Sequence, residues 1–225
     1  MKRTAERNNA SPLCDDLERR ILEEGAIIDS FKLPLDVRPS AEDMRALWAL
    51  RPATRSQIKI MGKTIEVPRF DQAYGSKGYR FSGVDHPPRP MPEILARYLA
   101  YANKVMRDVL DADYGGRDFN MCFTNWYSDG TQYIGFHSDD ESQLYKNHKS
   151  ETLVFSISFG QKRVFVVKPK NRESREGAMR FELDDGDVLV MGGLCQKNYK
   201  HGLPAVTSKK QVIAGRINLT FRIFK

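Results

Sequence analysis

The amino-acid sequence predicts an α+β fold: a double-stranded β-helix, or jelly roll, with N-terminal helices packed on one side. Three observations predict it. Helical periodicity is confined to the chain before Leu110. After Gly115-Gly116 the chain reads almost wholly as short strands, and the turns between them carry Asp-Gly, Gly-Gln and Asp-Asp-Gly. Helices first and closely spaced strands after indicate segregated layers, not alternating βαβ units.

Residues 1–10 are polar and charged, lack any hydrophobic period and are expected to form a disordered leader. Ser11-Pro12 offers an N-cap followed by proline at the first helical position, Leu13, Leu17 and Ile21 recur at helical spacing, and Gly25 is a natural stop. A helix is predicted there. A second follows Ser40, where Ser40-Ala41-Glu42-Asp43 reads as a capping box, Met44, Leu47 and Trp48 form the apolar face, and Pro52 ends the run. The period then changes. "QIKIMGKTIEVPRF" alternates around Met61-Gly62 and predicts a β-hairpin. A loop with Gly75, Gly78 and Gly83 leads to the longest helix, from Pro92 to about Leu110, along which Ile94, Leu95, Tyr98, Leu99, Ala102, Val105, Met106 and Val109 make one stripe. The strands follow as "FNMCFTNWY", "QYIGFH", "TLVFSISFG", "RVFVVKP", "AMRFEL", "DVLVMGG" and "RINLTFRIF", with "KPKNRESREG" as a polar loop. One domain is expected over 11–225: a helical extension at 11–55, a hairpin-and-lid region at 56–91, and a helix with the jelly roll at 92–225.

The 225 residues suffice for one well-buried core. No apolar stretch approaches the roughly 20 residues of a membrane span, and the opening "MKRTAERNNASP" lacks the apolar centre of a secretory signal. Cys14, Cys122 and Cys195 lie far apart with no C-x-x-C, which fits a reducing compartment, not a disulfide framework. The net charge of +7 favours a polyanionic partner, nucleic acid first.

The densest chemistry lies in "YIGFHSDDE", Tyr133 to Glu141. Alternate residues of an extended segment share a face, so His137 and Asp139 project together. The other histidines are His86, His148 and His201, and His201 follows the apolar strand "DVLVMGG". Two histidines and one carboxylate form the facial triad of non-haem Fe(II) oxygenases. A core histidine beside a turn aspartate is the commoner explanation of such a triplet taken alone, and both readings stand at this point.

The last strand adds a second constraint. In "RINLTFRIF", Arg216, Asn218, Thr220 and Arg222 share one face and Ile217, Leu219, Phe221 and Ile223 the other. If the polar face points inward, two buried guanidiniums need anionic partners. A dicarboxylate such as 2-oxoglutarate supplies them. An ordinary half-exposed strand is the alternative. Asn125 and Tyr127 alternate onto one face of an earlier strand and offer hydrogen bonds to the same anion, or serve as strand-end and core residues.

N-x-Y, then D-G, H-x-D-D-E, a later histidine and R-x-N-x-T-x-R, in that order, resemble the AlkB family of Fe(II)/2-oxoglutarate nucleic-acid demethylases, and most resemble its AlkB homologue 2 branch. The likeness runs from about Ile60 to Phe224. "PRFDQAYGSKGYRFSG" is similar to the substrate-recognition lid of that branch. The first 50 or so residues carry no such motif.

The resemblance implies that His137, Asp139 and His201 hold Fe(II), that Arg216 and Arg222 grip the two ends of 2-oxoglutarate, and that Asn125, Tyr127 and Asn218 add hydrogen bonds. It implies oxidative demethylation of 1-methyladenine and 3-methylcytosine in DNA or RNA, with O2 as co-substrate and formaldehyde, succinate and CO2 as products. Asp140 and Glu141 would line the base pocket, Tyr79 and Phe81 would stack on an extruded base, and Arg69 would contact substrate. Met61 stands where the relative carries a phenylalanine wedge. The basic residues Arg163, Lys168, Lys170, Arg172, Arg175, Lys209 and Lys210 would track phosphates. A monomer is expected, without membrane association and inside the cell: nuclear in a eukaryote, otherwise cytoplasmic. A 2-oxoglutarate hydroxylase of a protein or small molecule, and a non-catalytic nucleic-acid-binding relative, are the alternatives.

Overall fold

A computed structural model describes residues 11–60, 62–77, 79–81, 84–110, 117–147, 149, 151–206 and 214–225. The elements, in chain order, are β1 (Asp15–Ile21), a 3-10 turn (Glu23–Gly25), β2 (Ala26–Lys32), α1 (Ala41–Ala49), β3 (Gln57–Ile60), β4 (Lys63–Glu66), β5 (Phe70–Gly75), β6 (Tyr79–Phe81), β7 (Val84–His86) and α2 (Glu93–Val105), which runs on as a π-helical turn (Met106–Leu110). Then come β8 (Met121–Tyr127), β9 (Ile134–His137), β10 (Val154–Gly160), β11 (Arg163–Pro169), β12 (Met179–Leu183), β13 (Asp187–Gly193), the short α3 (Cys195–Asn198), β14 (Tyr199–Leu203) and β15 (Arg216–Arg222).

Two sheets face each other. The larger has seven strands in the order β1-β2-β13-β10-β15-β8-β5, and the smaller has four, β12-β11-β14-β9. The pairings within both are antiparallel. β3–β4 and β6–β7 are separate two-stranded ribbons. This is the expected jelly roll with two ribbons appended. No helix among the described residues is long and apolar enough to cross a membrane.

Strand alternation divides the buried residues between two compartments. Trp126, Phe155, Ile157, Phe159, Ile217, Leu219 and Phe221 point from the large sheet onto Leu95, Tyr98, Tyr101, Ala102 and Val105 of α2. The Tyr98 and Phe159 rings lie 5.2 Å apart. α1 closes the layer: Trp126 Nε1 donates to the Leu47 carbonyl at 2.9 Å. The capping box forms as read, with the Ser40 hydroxyl accepting from the Asp43 N–H and the Asp43 carboxylate accepting from the Ser40 N–H.

The first predicted helix does not exist. Residues 15–32 form the β1–β2 hairpin at the edge of the large sheet. β2 matches β13 in an unbroken register from Asp187↔Lys32 to Gly193↔Ala26. β1 is fixed to β2 by Arg19, whose Nε and Nη2 donate to the two Asp29 oxygens at 2.7 and 3.0 Å. Ile21, the residue that would complete a helical stripe, is 63% exposed. The N-terminal extension is thus mixed, with α1 its one helix among the described residues. The expected leader, residues 1–10, lies outside those residues.

Gly193 joins β13 to α3 with φ +57°. A Cβ there would sit 2.2 Å from the Gly25 carbonyl oxygen, which accepts a 3.1 Å hydrogen bond from the Leu194 N–H. Gly193→Ala is expected to lower unfolding stability by about 2–4 kcal/mol, through left-handed backbone strain and overpacking together. Urea denaturation of wild type and variant checks this.

Candidate metal and anion site

The space between the sheets is a cavity walled by both. β8, β10, β13 and β15 contribute Asn125, Tyr127, Ser156, Met191, Arg216, Asn218, Thr220 and Arg222; the small sheet contributes Ile134, His137, Phe165, Leu183, His201 and Leu203. The whole polar face of the last strand therefore points inward, as the sharper reading of "RINLTFR" requires.

His137, Asp139 and His201 meet in this cavity, with one ligand atom from each lying within 4.8 Å of the others. Register brings the histidines together, because His201 on β14 pairs directly with His137 on β9. Their rings are 4.4 Å apart. Asp139 lies between them, 3.7 Å from His137 Nε2 and 3.8 Å from His201 Nε2. His137 Nδ1 donates to the Gly135 carbonyl at 2.9 Å, which leaves the Nε2 lone pair facing Asp139. The Phe165 ring stacks on His201.

The protonation states suit a divalent cation. Burial drives the His201 imidazole down to about 3, and burial likewise lowers His137. Burial opposes ionisation of Asp139, but Arg222, His201 and His137 hold its carboxyl down at about 2. Two neutral imidazoles and a carboxylate are the donor forms that a metal needs. Asp139 Oδ2 is buried and accepts no hydrogen bond from the described residues, so a lone pair is available for coordination.

The ligand loop is clamped from outside. The Asp139 N–H donates to Gln196 Oε1 at 2.9 Å, and the Ser138 hydroxyl donates to the Tyr199 carbonyl at 2.7 Å. Lys170 Nζ donates to the Gln196 carbonyl at 3.0 Å. α3 and the start of β14, which deliver His201, are thereby tied to the loop that delivers Asp139.

Two further buried cations lie in the same cavity, Arg216 and Arg222. Arg216 is 2% exposed, and its donors reach the Leu183 carbonyl at 3.1 Å and Ser158 Oγ at 2.6 Å. Both partners are neutral, and no carboxylate among the described residues pairs with it. Its Nε has no hydrogen-bond partner among the described residues, and burial depresses its pKa to about 10. Arg222 is different: its Nη2 donates to Asp139 Oδ1 at 2.8 Å. Asn218 is aligned by Ser156 Oγ and the Ile157 carbonyl at 2.7 and 3.0 Å, and it accepts from the Thr220 hydroxyl at 2.9 Å. Arg69 also lines the cavity, its Nε donating to Asn125 Oδ1 at 2.6 Å. Burial raises the Tyr127 phenol. The donor set fits a carboxylate-bearing ligand next to a facial-triad metal.

One expectation needs correcting, that for Arg163. Asp140 is outside the lining of the metal cavity: its side chain is 59% exposed and lies 3.7 Å from Lys170 Nζ. In an extended segment where 137 and 139 face inward, 140 must face out. Arg163 is no phosphate tracker, being 2% exposed. It donates to the carbonyls of Asp129, Gln132 and Pro204 at 3.3, 2.9 and 2.8 Å, stapling the β8–β9 loop to the exit of β14. Glu141 is half-buried beside the loop, outside the cavity lining. Lys168 lies 3.8 Å over the exposed Phe136 ring, and Arg172 and Arg175 are exposed. Tyr79 and Phe81 lie on β6; their side chains, with Met61, Lys209 and Lys210, lie outside the described residues. Sequence reasoning missed Gln196, Ser156, Ser158 and the apolar wall of Phe165, Leu183 and Met191. Only the serines left a signal, as polar interruptions in "VFSISF".

Comparison with known proteins agrees with this geometry. A family model described as the 2OG-Fe(II) oxygenase superfamily matches residues 31–222. The human DNA oxidative demethylase ALKBH2 is 33% identical over 174 residues, which cover 74% of this chain and 60% of that protein. The human alpha-ketoglutarate-dependent dioxygenase alkB homolog 3 is 28% identical over 181 residues, covering 78% and 56%. The chain thus spans about three fifths of the length of these curated relatives. A solved structure titled "The structure of OsALKBH1" superposes with a TM-score of 0.53 at 20% identity, over 91% of this chain and 99% of that one, and shows the shared fold.

A metal bound by the three side chains should stabilise the folded state. Mn(II) at 100 times its dissociation constant is expected to add about 2.7 kcal/mol to unfolding stability. His201→Ala should abolish that shift. Thermal denaturation with and without the metal measures it.

Proposed function

Because the chain belongs to the 2OG-Fe(II) oxygenase superfamily, we propose that it is a dioxygenase that oxidatively demethylates N-alkylated bases, 1-methyladenine and 3-methylcytosine in DNA first and RNA second. One observation carries the reading. The buried His137–Asp139–His201 cluster shares its cavity with Arg216, a buried cation whose hydrogen-bond partners among the described residues are neutral.

The site residues fit Fe(II) and 2-oxoglutarate. His137, Asp139 and His201 would hold the metal. Arg216 would grip the far carboxylate of the co-substrate and Arg222 the end beside the metal, with Asn125, Tyr127 and Asn218 adding hydrogen bonds. Bound together, the two cofactors and O2 supply an oxidant for a C–H bond and leave succinate and CO2. Arg222 keeps the Asp139 carboxylate oriented through its 2.8 Å hydrogen bond. Phe165, Leu183, Met191 and Leu203 exclude water from the reacting space. A hydroxylated N-methyl group loses formaldehyde as its C–N bond breaks, and the original base is restored.

Nucleic acid as substrate is supported by the net charge of +7 and by the names of the relatives. The β3–β4 ribbon also supports it: Lys63–Glu66 are all exposed, and the ribbon reaches the β6–β7 ribbon through β3 and β7. Met61, Tyr79, Phe81, Asp140 and Glu141 keep, within this proposal, the substrate roles that the resemblance implies. A monomer is proposed, as the resemblance implies. Three buried free thiols favour a reducing compartment; the nucleus of a eukaryote, or otherwise the cytoplasm, is the proposed location.

Mass spectrometry of oligonucleotides carrying 1-methyladenine or 3-methylcytosine, single- and double-stranded, is the test. Wild type with Fe(II) and 2-oxoglutarate should restore the bases, and His137→Ala should not. A His137→Ala protein that still repairs sinks the metal assignment. A wild type that leaves every oligonucleotide untouched points to a protein or small-molecule substrate. Arg216→Met is expected to raise the half-saturating 2-oxoglutarate concentration about 10- to 100-fold, the worth of a charged hydrogen bond.

A further inference from the structure

Three guanidiniums line the cavity, those of Arg69, Arg216 and Arg222. Arg222 faces the Asp139 carboxylate. Arg69 faces a different one: its Nη2 lies 3.4 Å from Asp71 Oδ2, and the two side chains are 5% and 2% exposed. Asp71 is not part of the cavity wall. It sits behind Arg69 on β5, opposite Asn125 of β8, and accepts a hydrogen bond from the Ser56 hydroxyl at the root of the β3–β4 ribbon.

Orientation alone does not account for Asp71, because the Arg69 Nε already donates to Asn125 Oδ1 at 2.6 Å. What Asp71 adds is charge. Arg69 acts electrostatically on both His137 and Tyr127. Without a counter-charge it would hold this side of the cavity positive.

We propose that Asp71 is a specificity-determining residue that cancels the charge of Arg69, so that the cavity takes a cationic base in preference to a neutral one. This rests on the N-demethylase reading above. Methylation at N3 of cytosine leaves the base positively charged at neutral pH. Methylation at N3 of thymine replaces an N–H and leaves it neutral. The two lesions are close in size and differ in charge. An uncancelled unit charge roughly 10 Å away, at an effective dielectric constant of about 20, changes the preference on the order of tenfold.

The test is equilibrium binding of oligonucleotides carrying one 3-methylcytosine or one 3-methylthymine, read by fluorescence anisotropy. Fe(II) and 2-oxoglutarate are present under argon, so that nothing turns over. Wild type should prefer 3-methylcytosine. Asp71→Asn should reduce that preference about tenfold, and Arg69→Met, which leaves the Asp71 charge uncancelled, should increase it about tenfold. The double variant Arg69→Met/Asp71→Asn should return within about twofold of wild type, since the two charges act as a coupled pair. A merely structural pair would weaken both lesions alike, and that result overturns the inference. So does a preference that neither single variant moves. If Asp71→Asn does not fold, Arg69→Met carries the same test in the opposite direction. A wild type that binds neither lesion better than the unmodified base overturns the demethylase reading itself.

Discussion

Strand β15 is buried on both faces, and one of those faces carries two guanidiniums. An unpaired charge in a protein interior costs several kcal/mol, so each must find a counter-charge or a ligand that brings one. Arg222 finds Asp139, and that carboxylate is thereby held in place by the same strand that carries Arg216. Arg216 finds, among the described residues, a carbonyl and a hydroxyl. The opposite face of the strand makes this arrangement tolerable. Ile217, Leu219 and Phe221 are fully buried against the helical layer, and the strand is paired along its length with β8 and β10. Apolar packing on one side holds polar groups where they would not settle by themselves on the other.

Precision at the metal position comes from several short ties. Two histidines face each other because β9 and β14 are hydrogen-bonded neighbours. Asp139 lies beyond the strand end and is placed by Gln196, Ser138 and Arg222, not by a sheet. Arg163 does comparable work farther out, with a cation spread over three carbonyls from two separate segments. Such supports restrict the ligands before any metal arrives, which is what a facial triad with open positions requires.

Much of this was legible in the sequence wherever period two was the governing rule. "RINLTFR" announces which residues share a face whichever face is inside, and the cavity confirms the grouping. The same rule, applied one residue further, would have turned Asp140 outward. Leu13, Leu17 and Ile21 were ambiguous for a simple reason: a spacing of four suits one face of a helix and also one face of a strand. The free edge of β13 decided between them, and a partner distant in sequence leaves no local trace. β14 was missed because "YKHGL" is short and polar. Arg163 reads in sequence like any surface arginine, and only three carbonyls gathered from elsewhere make it an interior one.

β9 is the edge strand of the smaller sheet, paired among the described residues with β14, and the pairing is interrupted between His201↔His137 and Leu203↔Ile134. Gly135 and Phe136 are exposed. This is the profile of a segment that opens locally at little cost while the rest of the domain stays closed. An ion shared by His137 and His201 would lace that margin shut, since opening it would mean releasing the ion. Occupancy of the centre and the backbone protection of one frayed border are, in this architecture, a single equilibrium.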